Sequence, residues 1–387
     1  MTTFPVHGSE TLPWRSATGR RPEIATYEAS IPPPLAGVVV PASAATLEVC
    51  RAAAVAIGVL EQSFAGQVAA LEPFLLRTEA IASSRIEEEL TTVDQLARAQ
   101  HGLRAPRSAR TVMGAIDGLA LLVERAEHGI ELDAILAAHR PLMADDPHER
   151  WEAGRLRTVQ NWIGGSHRSP RGAVHVPPAP ERVPALMADL VAFLRRTDLD
   201  PVVQGAVAHG QFESIHPFTD GNGRIGRSLV NALWRYRGVT RTMAVPVASA
   251  IVADRDRYFR LVNDYRDGDV DPLVAYLAEC ATRAADEACV SAGRLAALPD
   301  EWQERVHARR DSTAFRLLQL LPRHPVVDAA DVVRLTGAST ARAYDAVERL
   351  EEAGVLRRIT ESRRDVAWAA GDVLDEAEIM ADRLRFA

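Results

Sequence analysis

The chain contains no lysine: all 45 of its basic side chains are arginine. With the many Ala, Val and Leu residues, this reads as codon bias from a GC-rich genome and not as a recognition feature. Cysteine is also scarce. Cys50, Cys280 and Cys289 are too few and too scattered for a disulfide framework or a zinc site. Cys280 and Cys289 fall on one helical stretch and read as buried thiols. No apolar run approaches the length of a membrane span, and residues 1–30 lack the apolar segment of a secretory leader. The expectation is a cytoplasmic protein with no membrane association. A net charge of -7 argues against a general polyanion binder. There are no internal repeats.

What is present is enough apolar sequence, 47% of 387 residues, for two or three domains. Residues 1–43 are rich in Pro, Ser and Thr, include Pro32-Pro33-Pro34, and read as an extended N-terminal arm with no packed unit of its own. Residues 44–129 form a helical region, in which Leu75, Ile81, Ile86 and Leu90 make a loose apolar stripe and a helix spans 111–128. A core follows at 130–297. Its helices are expected at 132–143, 183–195, 201–215, 225–234, 253–265 and 272–295. Between 151 and 178, Gly, Pro and His punctuate the chain. There Ala173-Val174-His175-Val176 reads as a short strand, with turns at Gly164-Gly165 and at Ser169-Pro170-Arg171-Gly172, giving a β-hairpin. Residues 298–387 begin at Leu298-Pro299-Asp300 with a linker helix. Three short helices (313–321, 329–336, 340–353) and two strands (355–360, 366–369) come next, and Gly354 stops the third helix. That order resembles a winged helix-turn-helix.

The chemistry concentrates at 216–227, His-Pro-Phe-Thr-Asp-Gly-Asn-Gly-Arg-Ile-Gly-Arg. A neutral imidazole, His216, can accept a proton. A carboxylate, Asp220, can hold a hard divalent cation, which prefers oxygen. Gly221, Gly223 and Gly226 let backbone N–H groups approach an anion at a helix start. Arg224 and Arg227, three apart on one helix, are neighbours that can neutralise phosphate oxygens together. These are the parts for moving a phosphate-containing group.

This stretch resembles the signature of the Fic family, His-Pro-Phe-x-(Asp/Glu)-Gly-Asn-Gly-Arg-x-x-Arg, at every fixed position. Gly154-Arg155-Leu156-Arg157, Gln160 to Gly165 and Val176-Pro177-Pro178 are similar to that family's segment before the signature. The resemblance implies a mainly α fold: a Fic-type helical bundle with a short β-hairpin flap, followed by the winged helix-turn-helix domain. It implies transfer of AMP from ATP to a Tyr, Thr or Ser hydroxyl of a target protein and of the enzyme itself, with Mg²⁺ as cofactor. In that reading His216 is the general base, Asp220 the Mg²⁺ ligand, and Gly221, Asn222, Gly223, Arg224, Gly226 and Arg227 bind the phosphates. Phe218 anchors the loop in the core. Ile163, Gly164 and Gly165 form the flap that docks the target by β-augmentation. Tyr258-Phe259 falls where relatives carry an aromatic pair near adenine, although ordinary core aromatics would read the same way.

Ser83-Ser84-Arg85-Ile86-Glu87-Glu88 resembles the family's inhibitory motif, (Ser/Thr)-x-x-x-Glu-(Gly/Asn). It departs only at Glu88. The resemblance implies that Glu87, one helical turn from Ser83, pairs with Arg227 in place of the ATP γ-phosphate. It also suggests a homodimer. Residues 311–370 hold nine Arg against nine Asp or Glu. Asp345, Glu348, Glu351 and Glu352 oppose Arg342 and Arg349 on the would-be recognition helix, and Arg357, Arg358, Arg363 and Arg364 sit in the wing. DNA binding is therefore the less favoured reading, behind packing, dimerisation or target docking. Phosphate transfer, removal of AMP, and a DNA-binding regulator with a vestigial nucleotide pocket are the functional alternatives.

Overall fold

The computed structural model describes residues 3–14, 24–64, 68–166, 168–360 and 366–386, the side chains of 68 and 69 excepted. The chain divides into two compact units, neither continuous in sequence. The first comprises residues 1–55, 117–239 and 254–280; the second comprises 56–116, 240–253 and 281–387. The sequence boundaries at 43, 129 and 297 do not coincide with this division. Three helices have residues in both units: α1 (Ala44–Ser63), α4 (Arg107–Ala126) and α11 (Asp271–Val306).

In the first unit the N-terminal stretch is not an unpacked arm. β1 (Gly8–Pro13) pairs antiparallel with β2 (Thr26–Ile31), in the register Gly8 opposite Ile31. Phe4, Ala29 and Leu35 are buried. The Ser30 N–H donates to the Val176 carbonyl, and Gln211 donates to that of Pro33. Burying apolar side chains and satisfying backbone groups outweighs the polar composition that suggested an arm.

α5 (Leu132–Met143), α6 (Val183–Leu194), α7 (Pro201–Ile215), α8 (Asn222–Tyr236) and α10 (Arg255–Arg266) complete the helices lying wholly within this unit. α7 is its axis, with every residue from Val202 to Ile215 buried. Pro201 starts it at N1, and the Asp200 carboxylate accepts from the N–H groups of Val202 and Val203, a cap worth about 1 kcal/mol. α8 packs against α7 because Gly226 brings no side chain to the contact. A Cβ there would lie 2.9 Å from Glu213 Oε1 and 3.1 Å from Phe212. Trp234 fills the lower end, 1% exposed.

In the second unit α2 (Val68–Ile86) packs on α9 (Val247–Ala253) and α15 (Gly371–Phe386). The buried Glu79 accepts from the Ala248 N–H at 2.8 Å, in the first turn of α9. α9 was not anticipated. The helix expected at 253–265 starts instead at Arg255, because Asp254 leaves helical geometry to cap it through the Arg257 N–H. The linker helix expected from Leu298-Pro299-Asp300 is not a separate element but the C-terminal part of α11 (Asp271–Val306). α11 runs through Pro299, with Leu295, Leu298, Trp302 and Val306 buried along one stripe. That burial offsets the roughly 3 kcal/mol that an interior proline costs.

The C-terminal segment orders α12 (Thr313–Leu320), β3 (Val326–Asp328), α13 (Ala329–Thr336), α14 (Thr340–Glu352), β4 (Leu356–Arg358) and β5 (Ala367–Ala370). The sheet is antiparallel, in the order β3-β5-β4. β3 and α15 were not foreseen from the sequence. α3 (Val93–Gln100) covers this sheet: Ala97 joins a cluster with Val326, Ile359, Ala367, Ala369 and Leu374, and Arg98 Nε donates to the Ile359 carbonyl at 2.8 Å. Arg363 and Arg364, part of the expected wing, lie outside the described residues. No described helix is long and apolar enough to cross a membrane.

Candidate active site

The signature occupies the connection between α7 and α8. α7 ends at His216 in the left-handed region, φ 48° and ψ 61°. A β-carbon makes that conformation costly, so the surroundings must hold it. They do so largely through Arg157, a side chain 2% exposed. Its guanidinium donates to the carbonyls of His216 (2.8 Å), Val159 (3.1 Å) and Pro178 (2.6 Å), and its N–H donates to that of Pro217 (2.9 Å). Burial brings the Arg157 pKa down to about 10, still charged at neutral pH.

The His216 ring is held at Nδ1, 2.9 Å from Asn161 Nδ2 and 3.2 Å from Asn222 Nδ2. Burial pushes its pKa down to about 3, helped by the charges of Arg157 and Arg266. The imidazole is therefore neutral at physiological pH, as a proton acceptor must be. Phe218 is fully buried, as expected for the loop anchor, and stacks on His139 at 3.8 Å.

α8 begins at Gly221, φ 79°, with no side chain capping it. The first-turn N–H groups of a helix have no intrahelical partner and attract anions. The loop is fastened from behind by His139 on α5. His139 Nδ1 accepts from the Gly154 N–H at 2.9 Å, so its Nε2–H donates to the Asp220 carbonyl at 3.0 Å. Burial lowers the His139 pKa to about 4. Arg224 is 4% exposed, and its Nε and Nη1 are buried with no hydrogen-bond partner among the described residues. Its Nη2 reaches Asp220 Oδ1 only at 3.4 Å. The Asp220 carboxylate is half-exposed. Arg227 is buried and donates to the Tyr258 hydroxyl at 3.4 Å, which lies 2.8 Å from His209 Nε2.

Gly226 has a second reason to be glycine, which the sequence reading did not give it. It lies in the α7–α8 contact described above, where close helix packing leaves no room for a side chain. The flap is less regular than expected. Ile163 and His175 form a single antiparallel bridge, not a two-stranded hairpin. Gly164 and Gly165 follow with φ of 74° and 71°. At Gly165 a Cβ would come within 2.7 Å of Ala173 N, so only glycine fits. His175 fastens the flap to α7 by donating from Nε2 to the Ser214 carbonyl, 2.9 Å. Between flap and α10 lies a cavity of about 580 Å³, lined by Ile163, Val174, Glu213, Tyr258, Phe259 and Arg266.

Ser83 and Glu87 belong to the second unit, at the C-terminal end of α2. Glu88 has φ 64°. The Glu88 N–H donates to the Arg85 carbonyl and the Glu89 N–H to that of Ser84. This is a Schellman turn with Glu88 at its left-handed position, where glycine or asparagine is preferred.

Sequence reasoning did not assign roles to His139, Arg157, Asn161, His175 or His209. Arg157 and Asn161 lay in a segment already noted for its resemblance. His139, His175 and His209 are single histidines whose partners are backbone carbonyls or a hydroxyl far along the chain, so spacing carried no signal for them.

Residues 129–234 match the model of the Fic/DOC family. The chain is 33% identical over 162 residues to the protein adenylyltransferase fic-1 of Caenorhabditis briggsae, covering 41% of this chain and 28% of that protein. It is 32% identical over 168 residues to the protein adenylyltransferase Fic of Nematostella vectensis, covering 43% of this chain and 35% of that one. The chain thus spans about a third of the length of these relatives. A crystal structure of a Fic family protein from Desulfovibrio desulfuricans G20 superposes with a TM-score of 0.55 at 23% identity, covering 86% of this chain and 97% of that one. Residues 129–234 are accordingly a Fic/DOC domain, set in a mainly helical chain whose fold that structure shares.

Proposed function

We propose that the protein transfers AMP from ATP to a hydroxyl of a protein, with release of pyrophosphate. The observation that carries this reading is Arg224. A buried guanidinium with two N–H-bearing atoms lacking partners is costly unless an anion completes it, and it sits in the first turn of an uncapped helix. The polyphosphate of ATP supplies such an anion. His216, held neutral, takes the proton of the acceptor hydroxyl as oxygen attacks the α-phosphorus. Nucleoside binding is assigned to the cavity beside Tyr258 and Phe259, and the acceptor segment to the edge at Ile163, Gly164 and Gly165.

Mg²⁺ fits the residues present. Asp220 offers a half-exposed carboxylate at the anion-binding turn, and one carboxylate with substrate phosphates is a common Mg²⁺ environment. When bound, the ion would neutralise phosphate charge. Glu87 is proposed to restrain transfer. Its motif's one departure, Glu88, leaves the turn in place.

The C-terminal segment is proposed to be a winged helix-turn-helix domain, on the strength of its helix–strand–helix–helix–strand–strand order and three-stranded sheet. The exposed face of α14 carries Asp345, Glu348, Glu351 and Glu352 against Arg342 and Arg349. Arg349 already donates to the carbonyls of Val306 and His307. That face is acidic, which favours target docking or self-association over DNA.

The test is incubation with α-³²P-ATP and, separately, γ-³²P-ATP, read with intact mass. AMP transfer labels protein from the first alone. Label from the second alone would assign phosphate transfer, and label from neither would assign a regulator without transfer activity.

A further inference from the structure

Two carboxamides converge on one ring nitrogen of His216. The orientation of Asn222 is set by a single peptide neighbour: its Oδ1 accepts from the Phe218 N–H at 2.8 Å, and its Nδ2 donates to the Phe218 carbonyl at 2.9 Å. The remaining N–H of that amide faces His216 Nδ1 at 3.2 Å. Asn161 approaches with its Nδ2 2.9 Å from the same Nδ1, and also donates to the Phe218 carbonyl at 2.8 Å. Both groups are donors, so Nδ1 accepts. A neutral imidazole then carries its proton on Nε2. Asn161 Oδ1, meanwhile, is buried without a hydrogen-bond partner among the described residues.

This arrangement holds the ring in the tautomer that cannot take a proton at Nε2. The ring's lone pair lies at Nδ1, behind the two amides. We propose that Asn161 is a positioning residue whose carboxamide sets the tautomer of His216: its N–H holds the resting Nε2–H form, and its Oδ1, once the amide is turned over, accepts Nδ1–H and frees the Nε2 lone pair. In that change the ring releases one proton from Nε2 to solvent and takes one at Nδ1, so its charge is unchanged. The working step rests on the AMP-transfer reading. The acceptor hydroxyl gives its proton to Nε2, its oxygen bonds the α-phosphorus, and the bond from that phosphorus to pyrophosphate breaks. Oδ1 then holds the Nδ1–H of the imidazolium. The bond to the Phe218 carbonyl that Asn161 gives up is still made by Asn222; the turned amide must draw its Oδ1 back from that carbonyl, now 2.8 Å from Nδ2, and the Nδ1–H form must swing away from the Asn222 N–H, the weaker of the two contacts at 3.2 Å. Asn161 lies two residues from Ile163, so a segment docked at the flap acts on the backbone that carries the amide.

The experiment is ¹⁵N NMR of the free full-length protein labelled at histidine, with the His216→Gln spectrum used to assign the ring. The expected wild-type pattern is pyrrole-like at Nε2 and pyridine-like at Nδ1. Asn161→Asp, of nearly the same shape but offering only acceptors, is expected to reverse that pattern. Asn161→Leu is expected to keep Nε2–H, through Asn222, and to slow AMP transfer by about tenfold to a hundredfold, the loss expected when a charge-assisted hydrogen bond disappears. A wild-type ring with its proton on Nδ1 overturns the proposal, as does a folded Asp variant with the wild-type pattern. Should the Asp variant not fold, the wild-type spectrum and the Leu variant's rate still decide. The spectra require no turnover, so absence of label from α-³²P-ATP would remove the AMP-transfer reading and leave the tautomer assignment standing.

Discussion

Acidification tests how the first unit is built. His139, His175 and His209 are all buried there, at 1%, 5% and 1% exposure, and burial is the largest cause lowering each of their pKa values. His139 is brought from 6.5 to about 4 and His209 to about 3, while His175 falls well below its ordinary value. In the unfolded chain the same rings titrate near 6.5. Below that pH the unfolded state binds protons that the folded state refuses. The stability these groups confer is therefore fully present above pH 6.5 and lost as pH falls toward the folded values. At pH 5, 1.5 units below the unfolded value, each fully buried ring costs about 2 kcal/mol. His139 and His209 together remove about 4 kcal/mol, a large share of the 5–15 kcal/mol typical of a domain. His175 acts in the same direction, as do His7 and His216, both lowered to about 3 mainly by burial. The assay is urea unfolding from pH 7.5 to 5, followed by tryptophan fluorescence. A second arm uses His209→Gln, which removes one titrating ring and should flatten the slope near pH 5 by about 1.4 kcal/mol per pH unit, one proton's worth. An unfolding free energy constant within about 1 kcal/mol over that range, on the scale of a single titrating group, would refute the reasoning. So would an unchanged slope in His209→Gln.

His216→Ala is expected to slow AMP transfer by at least about 10²-fold, the low end of general base catalysis, while nucleotide binding measured by calorimetry changes little; transfer at the wild-type rate would remove His216 as the base. Glu87→Gly is expected to raise AMP incorporation by roughly tenfold to a hundredfold if one charge-assisted bond of about 1.5–3 kcal/mol is the restraint; equal rates, compared by intact mass, would leave Glu87 as part of an acidic surface run. Glu88→Gly is expected to stabilise the second unit by about 1 kcal/mol, because the left-handed conformation costs a residue with a β-carbon roughly 1–2 kcal/mol, and part of that gain is returned to the freer unfolded chain. Thermal melting reads this last effect, and a lowered midpoint would count against the turn assignment.

Legibility followed the range of the interactions. The helices at 132–143, 201–215 and 340–353 were readable because their caps, periodicity and stops are local: Asp200-Pro201 opens one, and Gly354 closes another. The Fic signature was readable because its chemistry is packed into twelve residues. The N-terminal hairpin was not, since its partners Val176 and Arg266 lie far along the chain and polar composition says nothing of a distant carbonyl. The same holds for α11, where buried Leu298 and Trp302 override the local signal of Pro299. Of the site, the proposed reacting groups could be named from the sequence and their supports could not. Arg157, Asn161 and His139 act on backbone or ring atoms 55 to 81 positions away.

Glu88 shows how a departure from a pattern changes meaning once geometry is known. From sequence alone, a glutamate where the inhibitory motif has glycine or asparagine weakens the match. The backbone supplies the reason for the preference: φ is 64° there, and the two hydrogen bonds closing α2 form around it. The motif's last position therefore specifies a turn. A residue with a β-carbon satisfies that turn at an energetic cost and leaves Glu87 where the helix end puts it. The departure is then evidence about the stability of the end of α2, and the inhibitory role proposed for Glu87 has to be judged on Glu87 itself, by the rate of its variant.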